Sequence, residues 1–142
     1  MVTEGMSVHD LRSKVGDSEK ITINLGFIDL GQIDLLVHEG FYSNRTDFIR
    51  TAIRNQLTTH AEVVKLTVAR KTLVLGLQDF SRQDLETVQA AGRKLQIQVL
   101  GLARIAQDVS PELARATIDS VTVLGALHAS AAVKAALADR IH

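Results

Sequence analysis

Apolar and polar residues alternate strictly over residues 20–25 of the chain. This alternation is the pattern of a β-strand that buries one face. The apolar positions, which share one face, are Ile21, Ile23 and Leu25. The polar positions, which share the other face, are Lys20, Thr22 and Asn24. The pattern therefore predicts one short strand, which Gly26 is expected to end.

The next segment predicts a helix from about residue 29 to residue 39. Its apolar residues recur three and four positions apart, which places them on one helix face. Asp29 suits the first turn because the positive end of the helix dipole favours a carboxylate. Gly40 follows as the C-terminal stop, since glycine adopts a positive φ without strain.

A second helix is predicted to start at Ser43 or Asn44 and to run to about His60. Both starting residues are good N-caps, and Asn44 with Asp47 forms a pair similar to a capping box. The apolar face of this helix is formed by Phe48, Ile49, Ala52, Ile53 and Leu57. One strand and two helices are thus expected within residues 20–60.

The second half of the chain contains a recurring string. Val-Leu-Gly-Leu occupies residues 74–77 and 99–102, and Val-Leu-Gly-Ala occupies residues 123–126. A helix-like stretch follows each string, at residues 81–91, 110–119 and 131–140. The repeat predicts a small β/α domain of about three strand–helix units, although short apolar strings with glycine also recur by chance. The whole chain is therefore expected to have a mixed α/β fold.

Composition limits the function classes. Apolar residues make up 46% of the 142 residues, enough for a core, and the absence of cysteine excludes disulfides and thiolate zinc sites. The formal net charge is zero, and residues 19–60 hold four basic and five acidic side chains, so charge gives no argument for nucleic acid. The predicted division is a flexible arm over 1–18, a first domain over 19–60 and the repeat domain over 61–142.

The ordered set of strand, glycine-stopped helix and capped helix is similar to the ribbon-helix-helix family of DNA-binding transcriptional regulators, the MetJ/Arc/CopG-like proteins. The matching text is KITINLGFIDLGQIDLLVHEGFYSNRTDFIRTAIRNQL, residues 20–57. The chain departs from the family at Gly26, where many members carry proline, and in lacking a basic excess.

The resemblance implies a homodimer in which the strands of two chains pair antiparallel and four helices cover the apolar face of this ribbon. The opposite face would present Lys20, Thr22 and Asn24 of each chain to base edges in the major groove of double-stranded DNA. Physics agrees with a dimer, because one strand and two helices are too small to bury their own apolar faces. An ordinary solvent-facing strand also favours these three polar residues.

The resemblance also implies a phosphate clamp at the start of the second helix. Ser43, Asn44 and Arg45 would bind a DNA phosphate there, since free N–H groups and the helix dipole suit an anion. Arg45 could instead pair with a helix carboxylate such as Glu39.

These patterns predict a sequence-specific DNA-binding transcriptional regulator, expected to be a repressor, and no enzymatic activity. No nucleophile with a base and no phosphate loop is visible, and the five histidines lack the spacing of metal ligands. No cofactor or metal is therefore expected. Neither a signal peptide nor a membrane helix is predicted, so the protein is expected in the cytoplasm.

The repeat domain is expected to join two dimers into a tetramer or a larger assembly. A short stack of repeats leaves apolar ends and unpaired strand edges, which need a partner. An effector or another protein could cover them instead. Two other functions stay open: an antitoxin of a toxin–antitoxin pair, whose tail is usually polar, and a structural protein that assembles through its repeats.

Overall fold

The computed structural model of the protein describes residues 18–142. The predicted arm, apart from Ser18, lies outside the described residues. The chain divides into two compact units between Glu62 and Val63. The described fold is mixed α/β, with six α-helices and one three-stranded parallel sheet.

The first unit contains two helices, α1 at Phe27–His38 and α2 at Arg45–Thr59. Helix α1 starts two residues before the predicted position, with Gly26 as its N-cap. The spacing of apolar residues did not predict this first turn, because the side chains of Phe27 and Ile28 are exposed and lie outside the buried face of the helix. The predicted stop is confirmed, since Gly40 has φ +88° and the next backbone N–H, of Phe41, donates to Leu36 O at 2.9 Å.

Residues 20–25, the predicted strand, form neither a strand nor a helix within the single chain. A strand needs a partner to pair with, so the strand itself stays a prediction. Within the described part of this unit, Ile33 is the one buried side chain. Its large exposed apolar residues include Ile21, Ile23, Phe27, Ile28, Leu35, Phe41, Ile53 and Leu57. The described single chain therefore gives this unit almost no core.

Helix α3, Ala61–Arg70, is absent from the predicted elements. Only His60 separates it from α2. The sequence did not predict this helix because the polar residues 58–60 interrupt the regular spacing of apolar residues along α2. These residues include no glycine or proline, so helical structure can resume directly after them.

The second unit alternates strands with helices. Its elements in chain order are β1 (Val74–Phe80), α4 (Arg82–Ala90), β2 (Leu95–Ile105), α5 (Pro111–Thr117), β3 (Ile118–His128), α6 (Ala131–Ala136) and a 3₁₀ turn (Ala138–Arg140). The strands are parallel in the order β1-β2-β3. Each of α4, α5 and α6 begins after a serine, Ser81, Ser110 or Ser130, whose hydroxyl accepts the N–H three residues later at 3.0–3.1 Å.

Two predicted helix ends are wrong. Residues 118 and 119 belong to β3 and not to the preceding helix, because Ile118 is fully buried in the core and pairs with Leu95 of β2. The last α-helix stops at Ala136, and the predicted remainder to residue 140 is a 3₁₀ turn.

The core of the second unit lies on one face of the sheet, beneath the helices. It comprises Phe80, Leu85, Ile97, Val99, Ala103, Ile105, Val109, Ala114, Ile118, Val121, Val133 and Leu137. Val121 lies on the last strand of the stack, yet it is fully buried within this unit and needs no partner. The backbone N–H of His142 also donates to Val121 O at 2.8 Å, so the chain itself covers part of the β3 edge.

The glycines of the three strings lie side by side in the sheet. Gly76 pairs with Gly101, and Gly101 with Gly125. Their φ angles are +126°, +139° and +124°, a region that L side chains rarely adopt. A Cβ on Gly101 would overlap the carbonyl oxygen of Gly76, and one on Gly125 would overlap that of Gly101, whereas Gly76 faces open space. The strings are thus in register, while the interpretation of residues 61–142 as a repeat domain stays a prediction.

Candidate nucleic-acid interface

The three residues predicted to read bases lie on an exposed segment that belongs to no helix or strand of the single chain. Lys20, Thr22 and Asn24 alternate there with apolar residues that are also exposed, Ile21 at 77% and Ile23 at 62%. Both faces of the segment are therefore open to solvent in the single chain. The described chain places neither set of side chains against a partner, and their role stays a prediction.

The start of α2 is fixed by hydrogen bonds between neighbouring residues. The Asn44 side-chain oxygen accepts the Asp47 N–H at 2.8 Å, which confirms Asn44 as the N-cap. The Asp47 carboxylate accepts the Ser43 N–H at 2.9 Å, so the returning bond goes one residue earlier than in a capping box. Among the described residues, the N–H groups of Asn44 and Arg45 remain without an acceptor.

Arg45 binds a carboxylate of α1. Its guanidinium makes two hydrogen bonds of 2.8 Å each to the two carboxylate oxygens of Asp34, with both side chains about half exposed. The hydrogen bond from Arg45 holds the pKa of Asp34 below its usual range, and the same bond raises the pKa of Arg45. The alternative expected from the sequence, that Arg45 pairs with a helix carboxylate, is confirmed, although the partner is Asp34 and not the example Glu39, because the fold brings Asp34 to the start of α2. This bidentate pair joins the two helices.

Two cations next to the cap were not singled out from the sequence. Arg50 and Arg54 line a shallow depression with Asn44, Thr46 and Asp47. Within residues 18–142, neither arginine takes part in an ion pair. The available signal was the spacing of four residues from Thr46 to Arg50 and again from Arg50 to Arg54, since it places all three on one face of α2.

An aromatic contact packs the turn before α2 against the helix. The rings of Tyr42 and Phe48 meet edge to face, with centroids 5.0 Å apart and planes at 85°. Such contacts add to the stability given by apolar burial alone. The contact holds the residues before the cap close to the first turn of the helix.

Three features of the described residues suit binding to nucleic acid: a helix N-terminus with open N–H groups, two arginines without an ion pair on one face of that helix, and a preceding exposed segment in which polar and apolar residues alternate. A model of the ribbon-helix-helix transcriptional regulator family matches residues 16–134, and the chain belongs to that family. The resemblance seen in the sequence is thereby confirmed. The family indicates a DNA-binding transcriptional regulator and is not an enzyme family. Its members bind DNA, generally as dimers.

Comparison with curated proteins found no match, and neither did comparison with solved structures.

The described residues contain no group of three or more histidine or acidic side chains placed to hold a metal ion. No helix within residues 18–142 has the length and apolar character needed to cross a membrane.

Proposed function

We propose that this protein is a transcriptional repressor that reads the major groove with a two-stranded antiparallel ribbon, to which each of two chains contributes residues 20–25. The observation that carries the proposal is the exposed alternating segment. Its isoleucines have no cover within the described chain, while its polar residues share the opposite side. Pairing two such segments satisfies their backbone groups and turns one face into a core.

The helices of the first unit supply the rest of the dimer core. Leu35 and Phe41 from the α1 region, and Ile53 and Leu57 from α2, are between 48% and 70% exposed in the single chain. Burying a leucine or isoleucine side chain contributes about 1.5–3 kcal/mol. A unit in which Ile33 is the one buried described residue therefore gains most of its core by pairing.

On the ribbon's outer side, the side chains suit base edges. Lys20 can donate to guanine O6 and N7, Asn24 can bond to adenine N6 and N7, and Thr22 offers a hydroxyl and a methyl. Six such residues would face the groove from one dimer.

A phosphate clamp at the start of α2 would set the ribbon's position on the DNA. The open N–H groups of Asn44 and Arg45 lie at the positive end of the helix dipole. The Ser43 N–H can take part only if it leaves the Asp47 carboxylate, and the Arg45 guanidinium only if it leaves Asp34. Within residues 18–142, Arg50 forms no ion pair, so we add it to the clamp.

The second unit favours a regulator over an antitoxin. An antitoxin tail is usually polar and folds on its toxin. Here residues 63–142 have a core of their own, with Leu85, Val99 and Leu137 fully buried. A folded second unit suits a protein that regulates through its own assembly or through a partner.

The test begins with DNA selected from a random pool by the full-length protein. Lys20→Ala and Asn24→Ala should each weaken binding to the selected site by about 1–3 kcal/mol per contacted base pair. Binding to random DNA should change little. Lys94→Ala, which removes one charge from the loop before β2 in the second unit, is the matched control and should leave both affinities unchanged.

Circular dichroism confirms that each variant is folded. If the folded Lys20→Ala and Asn24→Ala variants both bind the selected site as the wild type does, the ribbon does not read bases.

A further inference from the structure

One face of the parallel sheet carries no core. On the central strand β2, Ile97, Val99, Ala103 and Ile105 are buried, and the residues between Ile97 and Val99 and on either side of Gly101 point to the opposite side, as do their cross-strand partners on β1 and β3. The apolar ones among these residues form an outer leucine face, made of Leu75, Leu77, Leu100, Leu102, Leu124 and Ala126. Three of them are more than half exposed, Leu75 at 67%, Leu77 at 51% and Leu124 at 53%. All-parallel sheets occur almost only with both faces covered.

We propose that the outer leucine face packs on the same face of a second copy of this chain, and that two such contacts join two dimers into a tetramer. This inference rests on the proposed ribbon dimer. It places the assembly surface on the face of the sheet, whereas the repeat pattern alone pointed to the strand edges.

The in-register strings make the outer leucine face suited to a copy of itself. One cross-strand row consists of Leu75, Leu100 and Leu124, and the next row consists of Leu77, Leu102 and Ala126. Turning the face over about an axis across the strands places the first row of one copy on the second row of the other. A two-fold contact requires such a self-complementary patch.

The polar residues at the ends of the face do not oppose this packing. The cross-strand row at one end consists of Asp79, Arg104 and His128, and the Arg104 Nε lies 2.7 Å from Asp79 Oδ1, so these two charges neutralise each other. Gln98 and Thr122 lie in register at the other end and carry no charge. The face therefore has an apolar centre and a polar rim, the usual make-up of an interface.

The area of the outer leucine face indicates whether one pair of such faces is enough for a stable assembly or whether two pairs are needed. Three strands about 4.8 Å apart and seven residues of about 3.3 Å each give about 14 Å by 23 Å, or about 330 Å² of sheet per copy. One pair of faces then buries about 660 Å², less than a stable interface of about 1,200–2,000 Å². Two dimers that form both contacts at once bury about 1,300 Å², which reaches that range. The area thus favours a tetramer over a contact between single faces.

The test compares masses of the full chain by sedimentation equilibrium at micromolar concentration. Wild type should have the mass of a tetramer. Leu75→Gln with Leu124→Gln makes the centre of the face polar and should halve that mass. The control, Leu75→Met with Leu124→Met, keeps the face apolar and should remain tetrameric. Circular dichroism checks each fold, and the single Leu75→Gln variant replaces the double one if the latter unfolds.

The outcomes separate this inference from the proposed function. A wild type with the mass of a dimer that the glutamine variants leave unchanged overturns the face contact and keeps the ribbon dimer. A wild-type dimer that becomes a monomer in the glutamine variants overturns the tetramer, and shows that the chains pair through the second unit instead of the ribbon. A tetramer that persists in a folded glutamine variant also overturns the inference.

Discussion

Gly101 gives the sharpest test of the packing in the second unit. It lies on the central strand β2, between Gly76 on β1 and Gly125 on β3, and its φ is +139°. In the Gly101→Ala variant the new Cβ overlaps the Gly76 carbonyl oxygen. Gly76→Ala is the matched control, because Gly76 has a similar φ of +126° but nothing within 4 Å of an added Cβ.

The two substitutions share one cost and differ in another. An L residue held in this backbone region costs about 1–3 kcal/mol. Gly76→Ala should lose about this much free energy of unfolding. Gly101→Ala adds an overlap with backbone that belongs to the sheet, and forcing atoms into a filled space costs a further 1–3 kcal/mol, roughly. We therefore expect Gly101→Ala to be less stable than Gly76→Ala by at least about 1 kcal/mol.

The measurement is urea unfolding of the two variants and the wild type, followed by far-ultraviolet circular dichroism. If the variants lose equal free energy of unfolding, within about 0.5 kcal/mol, the Cβ overlap does not limit the strand, and the glycines are needed only for their φ angles. If Gly101→Ala is as stable as the wild type, the reasoning about the glycine row is wrong altogether.

Two further predictions concern the first unit. Asp34→Asn should lower the urea midpoint at neutral pH, because it removes the ion pair with Arg45. Arg45 lowers the pKa of Asp34 in the folded state. The stability that the ion pair contributes is therefore present above the unfolded pKa of about 3.9 and is lost as the pH falls through the folded pKa. The difference from wild type should therefore close in acid, and a difference independent of pH would contradict the ion-pair explanation. Arg50→Ala should weaken binding to selected and random DNA alike and reduce the salt slope by about 0.9 for each phosphate that the variant no longer neutralises, measured by titrations at several salt concentrations; an unchanged slope removes Arg50 from the clamp.

Local signals in the sequence predicted much of the helical structure. Asn44 as an N-cap and Gly40 as a stop each act through bonds to residues a few positions away, so their effect can be seen in the sequence. Helix α3 was missed because its start lacks such a signal and follows α2 after His60 alone.

Features that depend on distant parts of the chain could not be predicted in the same way. Arg45 lies 11 residues from Asp34, and only the packing of α1 against α2 brings the two side chains together. The predicted end of the helix at residue 119 was wrong for a similar reason, because Ile118 is buried in the core and β3 begins there. For the candidate site, the sequence indicated residues 20–25 and the Asn44 cap. It did not indicate that the Ser43 N–H is bonded to Asp47 or that the Arg45 guanidinium is bonded to Asp34.

The edge-to-face contact of Tyr42 with Phe48 has a practical consequence. Tyr42 is the sole tyrosine and the chain contains no tryptophan, so the intrinsic tyrosine fluorescence of the protein comes from this one ring. It lies two residues before the Asn44 cap. Tyrosine emission can therefore follow unfolding of the first unit or its binding to DNA. The second unit contributes no such signal, because it contains neither tyrosine nor tryptophan.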